Sequence, residues 1–242
     1  MRDELRIIYY IIRKDMRAYY LKPPAISWGI LFPAVMSLSF YLRNPSAFAD
    51  LVPGLLALTV LFSTTAMEAV VINFELRIGS LERLLLAPAS LASVVLGKIL
   101  GASLFGLIIT GLVALVTLPA LPGAAISPTA LFFTTIISLI TFSSLGALVS
   151  VAVKEVFEAQ TLGNFLRFPM MFLCGVFIPV STMPAGLRHL AYFLPLTYTV
   201  DGFHHALGSA GAMPLAVDIL LLGGFALLFL VPATGFLRRR FA

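Results

Sequence analysis

The sequence predicts an all-α integral membrane protein with six transmembrane helices and both termini in the cytoplasm, and three observations carry that expectation. Of its 242 residues 60% are hydrophobic and 11% charged, against about 25% charge in an average soluble domain. The 16 Lys and Arg and 11 Asp and Glu side chains are too few to clothe a water-facing surface. From Ile99 to Val153 no charged residue occurs, which is room for two bilayer-spanning helices of about 20 residues each. Thirdly, the basic residues gather on alternate sides of the apolar stretches, as membrane topology uses them. The apolar runs are continuous rather than alternating, which argues against a lipid-spanning β-barrel, and so apolar a composition excludes disorder. A single cysteine, Cys174, excludes an internal disulfide.

Residues 1–22 read as an amphipathic connecting helix. At 100° per residue Leu5, Ile8, Ile12, Met16 and Tyr19 share one face, while Arg2, Arg6, Arg13 and Arg17 form an adjoining basic one. That pattern suits a helix lying among membrane headgroups, and equally a soluble helix packed on a partner. The segment mixes acids with bases and lacks a compact apolar core, so it is not read as a cleavable signal. Pro23 and Pro24 break it from a first span over about 26–42. Spans two to four follow at about 51–74, 93–118 and 128–153, with Pro119, Pro122, Gly123 and Pro128 dividing the last two. Span five, about 161–180, carries Arg167, Pro169, Gly175 and Pro179, which are expected to kink or split it. Span six covers about 216–237, so residues 23–242 are expected to form one transmembrane domain.

With six spans, Arg2, Arg6, Arg13, Lys14, Arg17, Lys22, Arg77, Arg83, Lys154 and Arg238 to Arg240 fall on one side, against Arg43 and Arg188 on the other. The richer side is the cytoplasmic one. This placement also accounts for the net charge of +5 without nucleic acid, because no basic face with interleaved aromatics is left over.

Phosphate-handling machinery is missing. Gly97-Lys98 has Ala92 where a P-loop needs its first glycine and Ile99 where it needs Ser or Thr, so no cofactor is expected on this chain. His204 and His205 are adjacent, hence about 100° apart on a helix, and lack the i, i+4 spacing of a zincin; Asp201 stands one turn before His205. They are read as interfacial side chains facing the outside, with a metal-dependent hydrolase built on them as the alternative. No catalytic or metal-ligating residue is assigned. Ser138, Ser143, Ser144, Gly146, Ala147 and Ser150 in span four, and Gly97-x-x-x-Gly101 in span three, are read as small residues permitting close helix approach. Glu68 is an acid inside span two and shares a helix face with Ile72 and Glu75. No chain of acids crosses the other spans, so a structural or gating role is expected in place of a proton relay.

The most specific stretch lies in the loop after span two. Ser80 is placed as an N-cap and Pro88 as a stop, and Leu81, Leu84 and Leu85 at i, i+3, i+4 form one apolar face, with Glu82 and Arg83 pointing elsewhere. Such a two-turn helix fits a groove on a cytoplasmic partner, or simply an interfacial loop.

Gly79-Ser80-Leu81-Glu82-Arg83-Leu84-Leu85-Leu86-Ala87-Pro88, preceded by Glu75 and followed by Gly97-Lys98, resembles the coupling helix of the permease subunits of ABC type-2 exporters, the family of bacterial drug, polysaccharide and nodulation-factor exporters. A second resemblance lies between spans five and six: Gly175-Val176-Phe177-Ile178-Pro179, then Met183-Pro184, then Leu194-Pro195-Leu196-Thr197-Tyr198. The resemblance covers essentially the whole chain. It implies an N-terminal connecting helix, six spans, external re-entrant helices closing the path, a separate ATPase subunit and a second permease copy. Prolines at membrane depth leave backbone groups unpaired, which is tolerated where protein or a water-filled cavity covers them. Residues 175–205 are therefore expected to dip back into the outer leaflet as a gate. Few charged residues occur in the spans, so an apolar or amphipathic small-molecule substrate, drug or lipid-like, is expected; a non-transporting scaffold is the remaining alternative.

Overall fold

A computed structural model describes residues 2–22, 31, 34–36, 38–43, 48–86, 90–121 and 125–241. Among these the secondary structure is helical throughout. The chain opens with α1 (Arg2–Asp15), which runs on as a π-helical turn at Met16–Tyr20. Then come α2 (Phe48–Arg77), α3 (Ser80–Leu86), α4 (Leu91–Thr117), α5 (Pro128–Ala152), α6 (Val156–Leu173), α7 (Ala185–Tyr192), α8 (Pro195–Ala206) and α9 (Leu215–Phe241). Four of them, α2, α4, α5 and α9, are long and apolar enough to cross a bilayer. They correspond to expected spans two, three, four and six. Residues 26–30, 32, 33 and 37 of the first expected span, with Pro23, Pro24, Pro88, Pro122 and Gly123, lie outside the described residues.

The fifth expected span begins earlier and ends sooner than the sequence suggested. Glu155 and Glu158 form a capping box, each side chain meeting the other's backbone, which starts α6 at Val156 inside the expected loop 154–160. Pro169 is accommodated within the helix, and the break comes at Gly175, whose φ of +85° few other residues adopt.

The center is α2, which packs against α4, α5, α6 and α8. Leu55, Leu56, Leu58, Val60 and Leu61 of α2 join Leu139, Phe142 and Leu145 of α5 and Leu196, Val200 and Phe203 of α8 in the main core. Small residues let α2 and α5 come close, as span four's composition implied. A Cβ on Gly146 would stand 2.9 Å from Glu68 Cβ and 3.0 Å from the Thr65 carbonyl. The Gly97/Gly101 face of α4 also receives a helix, and it is α1: a Cβ on Gly97 would lie 3.0 Å from Ile11, and Gly101 faces Tyr20 at 3.6 Å.

That docking shifts the buried face of α1 from the expected one. Ile11, Asp15 and Tyr20 are buried, and Ile7 is packed against the same cluster, while Leu5, Tyr9 and Tyr10 stay exposed. The helix therefore turns Ile7-Ile11-Asp15 onto α4. A helical wheel sorts residues by polarity alone and places no acid inward; Asp15 goes inward because the buried Lys98 pairs with it there.

Candidate functional site: two ends of the helix bundle

At one end of the bundle, four charged side chains from three helices converge. Lys98 of α4, 1% exposed, stands 2.8 Å from Asp15 of α1 and 2.5 Å from Glu75 of α2. Lys14 closes the figure, donating to Glu75 at 2.5 Å and lying 3.1 Å from Asp15. Two cations and two anions thus alternate around a square of which Asp15, Glu75 and Lys98 are buried and Lys14 is half-buried. Burial pushes the Asp15 carboxyl above its ordinary range, against the pull of Lys98. One turn deeper, Tyr20 donates from its hydroxyl to Glu68 at 2.7 Å and stacks on Phe105 at 5.3 Å. Glu68, fully buried, is thereby held by the helical turn that continues α1. The expected face of Glu68, Ile72 and Glu75 exists, and it is the seat of the connecting helix.

The short helix α3 hangs from this square. Gly79, at φ +66°, ends α2, and its carbonyl accepts from Arg83 N at 3.3 Å, so Gly79 takes the capping place and Ser80 is the first residue of α3. The expected apolar docking face is turned inward in part. Leu81 is 1% exposed and packs with Ile11, Leu76 and Val94, and Leu84 is half-buried against the same cluster, because α3 must cover the junction of α1, α2 and α4. Arg83 is exposed on α3; Glu82 and Leu85 also lie on this helix. Glu75, grouped with this helix on sequence, belongs to the last turns of α2.

At the opposite end of α2, the stretch after α6 folds back as a hairpin of short helices. Arg188 Nη2 donates to the carbonyls of Ser181 (2.8 Å) and Met183 (3.1 Å), holding the turn of Pro179 and Pro184. Thr197 Oγ1 donates to Ala191 at 2.5 Å and Tyr198 Oη to Tyr192 at 2.6 Å, so the first turn of α8, begun by Pro195 after Leu194, is laced to the end of α7. Then α8 goes inside: Leu196, Thr199, Val200, Gly202 and Phe203 are buried among α2, α5 and α9, with Thr199 meeting Ser138 at 2.9 Å. Phe177 packs on Phe40 and Phe172, with ring centers 5.2 and 6.0 Å apart. Gly175, Pro179, Tyr198, Asp201, His204 and Asp218 are among the lining of a cavity of ≈ 380 Å³. The two histidines do not act together: His204 faces that cavity, whereas His205 Nε2 meets the Met213 carbonyl at 2.5 Å.

The described residues thus combine apolar helices of bilayer length with a short helix beside a charged joint at one end of α2 and a proline-containing hairpin at the other. The ABC-2 type transporter family profile matches residues 6–207. The chain belongs to this family. It is 25% identical over 182 residues to the inner membrane transport permease YadH of Escherichia coli K12, covering 74% of this chain and 70% of that protein. It is 27% identical over 197 residues to the probable multidrug ABC transporter permease YbhS of the same organism, covering 78% of this chain and 52% of that one. To nodulation protein J of Bradyrhizobium diazoefficiens it is 36% identical over 72 residues, 30% of this chain and 28% of that protein. The family member described here is an all-helical, multi-pass membrane protein. Lys14, Asp15, Tyr20 and Lys98 escaped the sequence reading of the site; the signals were a lysine inside a span and a lone acid at i+4 from an isoleucine, each without a visible partner.

Proposed function

We propose that this chain is the membrane-spanning subunit of an ATP-driven exporter in the cytoplasmic membrane, with six spans, both termini inside, and the charged square at the cytoplasmic end. Two copies form the path, and separate ATPase chains, docked at α1 and α3, supply the energy. The substrate is an apolar or amphipathic small molecule, drug or lipid-like; the similarity to YbhS, a probable multidrug ABC transporter permease, supports that class. The observation that carries the proposal is the rigid joint of α1, α2, α3 and α4. Leu81 is buried in it and the square of Lys14, Asp15, Glu75 and Lys98 pins it. A push on α3 therefore moves the central helix α2, which reaches the hairpin at the other end, and a helix docked by a single loop would transmit far less.

A second copy is favored by α6. It falls outside the four helices apolar enough to span by themselves, yet Phe157, Phe165, Phe168 and Phe172 are exposed along it. Arg167, buried with its guanidinium 5.6 Å from the Phe62 ring center, adds a charge that lipid disfavors. A helix of mixed polarity with an aromatic face is suited to line a protein-enclosed path. The test is co-purification of the chain with an ATPase encoded beside it, compared with the Arg83→Glu variant. Stable association in the wild type, weakened at least tenfold in the variant, supports the docking of α3; unchanged association and unchanged ATP hydrolysis remove α3 from that role.

A further inference from the structure

Asp218, in the first turn of α9, is 1% exposed, and neither of its carboxylate oxygens meets a hydrogen-bond donor. A buried carboxylate without a cation is strongly disfavored in its charged form, so Asp218 either shares a proton with the neighboring Asp201 or faces a bound cation. Its neighbors say which. One oxygen of Asp218, one of Asp201 and a ring nitrogen of His205 all lie within 4.8 Å of one another.

Both other residues are held in place by the loop between α8 and α9. Asp201 Oδ1 and Oδ2 accept from the backbone N–H of Ala212 (2.6 Å) and Met213 (2.8 Å). His205 Nε2 faces the Met213 carbonyl at 2.5 Å, so that nitrogen carries the proton and the lone pair of the neutral ring sits on Nδ1. Orientation of the coordinating groups by backbone is how metal ligands are fixed in advance of the ion.

We infer that Asp201, His205 and Asp218 form a divalent-cation site, taking Zn²⁺ or a similar first-row ion, that fastens the inserted helix α8 to the start of α9. Two carboxylates and one imidazole supply the mixed oxygen and nitrogen donors that such ions favor, leaving a fourth position for water. Ligands of one zinc ion stand about 3.3 Å apart, given bonds of about 2.0–2.2 Å, and these three groups already lie within 4.8 Å of one another. The ion reaches the site from the ≈ 380 Å³ cavity, which Asp201 and Asp218 both line. Bound there, it replaces the repulsion of two neighboring carboxylates by a cross-link between α8 and α9. The site uses neither α3 nor the charged square, so its presence is separable from the ATPase-coupling proposal.

The experiment uses the full chain, purified in lipid nanodiscs with any affinity tag removed, stripped with chelator, loaded with ZnSO₄, desalted and analyzed for zinc. The expected result is one zinc per chain and a raised melting temperature in the wild type, at least tenfold weaker binding in both Asp218→Asn and His205→Gln, and unchanged binding in His204→Gln. His205→Gln serves should Asp218→Asn fail to fold. No retained zinc in the wild type, or zinc retained equally in Asp218→Asn and His205→Gln, overturns the inference. Absent zinc together with a higher melting temperature for Asp218→Asn would instead mark Asp201 and Asp218 as carboxyls sharing a proton, and overturns it as well.

Discussion

Lys98→Met tests the charged square most directly. Methionine keeps the volume of the buried stem and removes the ammonium that lies 2.8 Å from Asp15 and 2.5 Å from Glu75. What is left is two buried carboxylates and one cation, Lys14, itself 36% exposed. Removing one partner of a buried ion pair costs about 3–5 kcal/mol, because the other is left charged and dry. Lys14→Met removes a cation that water already screens, so about 1 kcal/mol or less is expected there. Thermal unfolding in detergent, followed by size-exclusion fluorescence, is expected to fall by on the order of 10 °C for Lys98→Met at about 2–4 °C per kcal/mol, and far less for Lys14→Met. The double variant Lys98→Met/Glu75→Gln leaves Lys14 and Asp15 as a neutral pair and is expected to recover most of the loss, the coupling that a double-mutant cycle reads. The sign with pH follows from Asp15. Its carboxyl is already raised by burial against the pull of Lys98, so stability from it is present at low pH and lost as pH rises through the folded-state value. Without Lys98 that value rises further, and the deficit of Lys98→Met is expected to be smaller at pH 5 than at pH 8. Equal melting of Lys98→Met and wild type, or a double variant no better than the single, would refute the reasoning.

Two further outcomes probe the remaining contacts. Tyr20→Phe strips the hydroxyl that Glu68 accepts at 2.7 Å and leaves a fully buried carboxylate unserved, at about 1–3 kcal/mol; a melting temperature within error of the wild type would exclude this bond as a tether of α1. At the other end, a Cβ on Gly54 would stand 2.6 Å from the Val176 carbonyl oxygen and 2.9 Å from its Cα, and backbone cannot yield as a side chain does. Gly54→Ala is therefore expected to displace the Gly175 turn at about 1–3 kcal/mol. A Ser181→Cys reporter in a Cys174→Ser background is expected to react with a membrane-impermeant thiol reagent added outside the cell, at a rate that Gly54→Ala changes. Labeling from the cytoplasmic side alone would invert the proposed topology.

The apolar spans were legible because hydrophobic runs report directly on the solvent a helix meets, and α2, α4, α5 and α9 fall within a few residues of their expected places. The helix breaks of the hairpin were legible for a different reason: Pro179, Pro184 and Pro195 fall close together around Gly175 and the short helices, where the described backbone leaves the helix, whereas the isolated Pro169 is accommodated. What escaped were pairings between residues far apart in the chain. Lys14 and Glu75 are separated by 61 positions and Tyr20 and Glu68 by 48, so no local periodicity ties them together. Leu81 shows the same limit. Its spacing with Leu84 marks an apolar face correctly, but apolarity is silent on whether that face meets a partner or the chain's own core.

The inward face of α3 also changes what coupling can mean in this chain. A helix held to its partner by leucines could slide on its own spans; α3 instead commits Leu81 to the core. Arg83, exposed on the same helix, offers a charge for an outside contact. Under the proposed coupling, force would enter through the backbone of a two-turn helix clamped at Gly79 and pass to Glu75, two turns or less away on α2. From there one continuous 30-residue helix runs to Phe48, about 45 Å at 1.5 Å per residue, beyond Gly54 and the hairpin it touches. A rigid rod with a charged joint at one end and a backbone contact at the other converts a tilt at the first into a displacement at the second, and needs no chain of rearranging side chains in between.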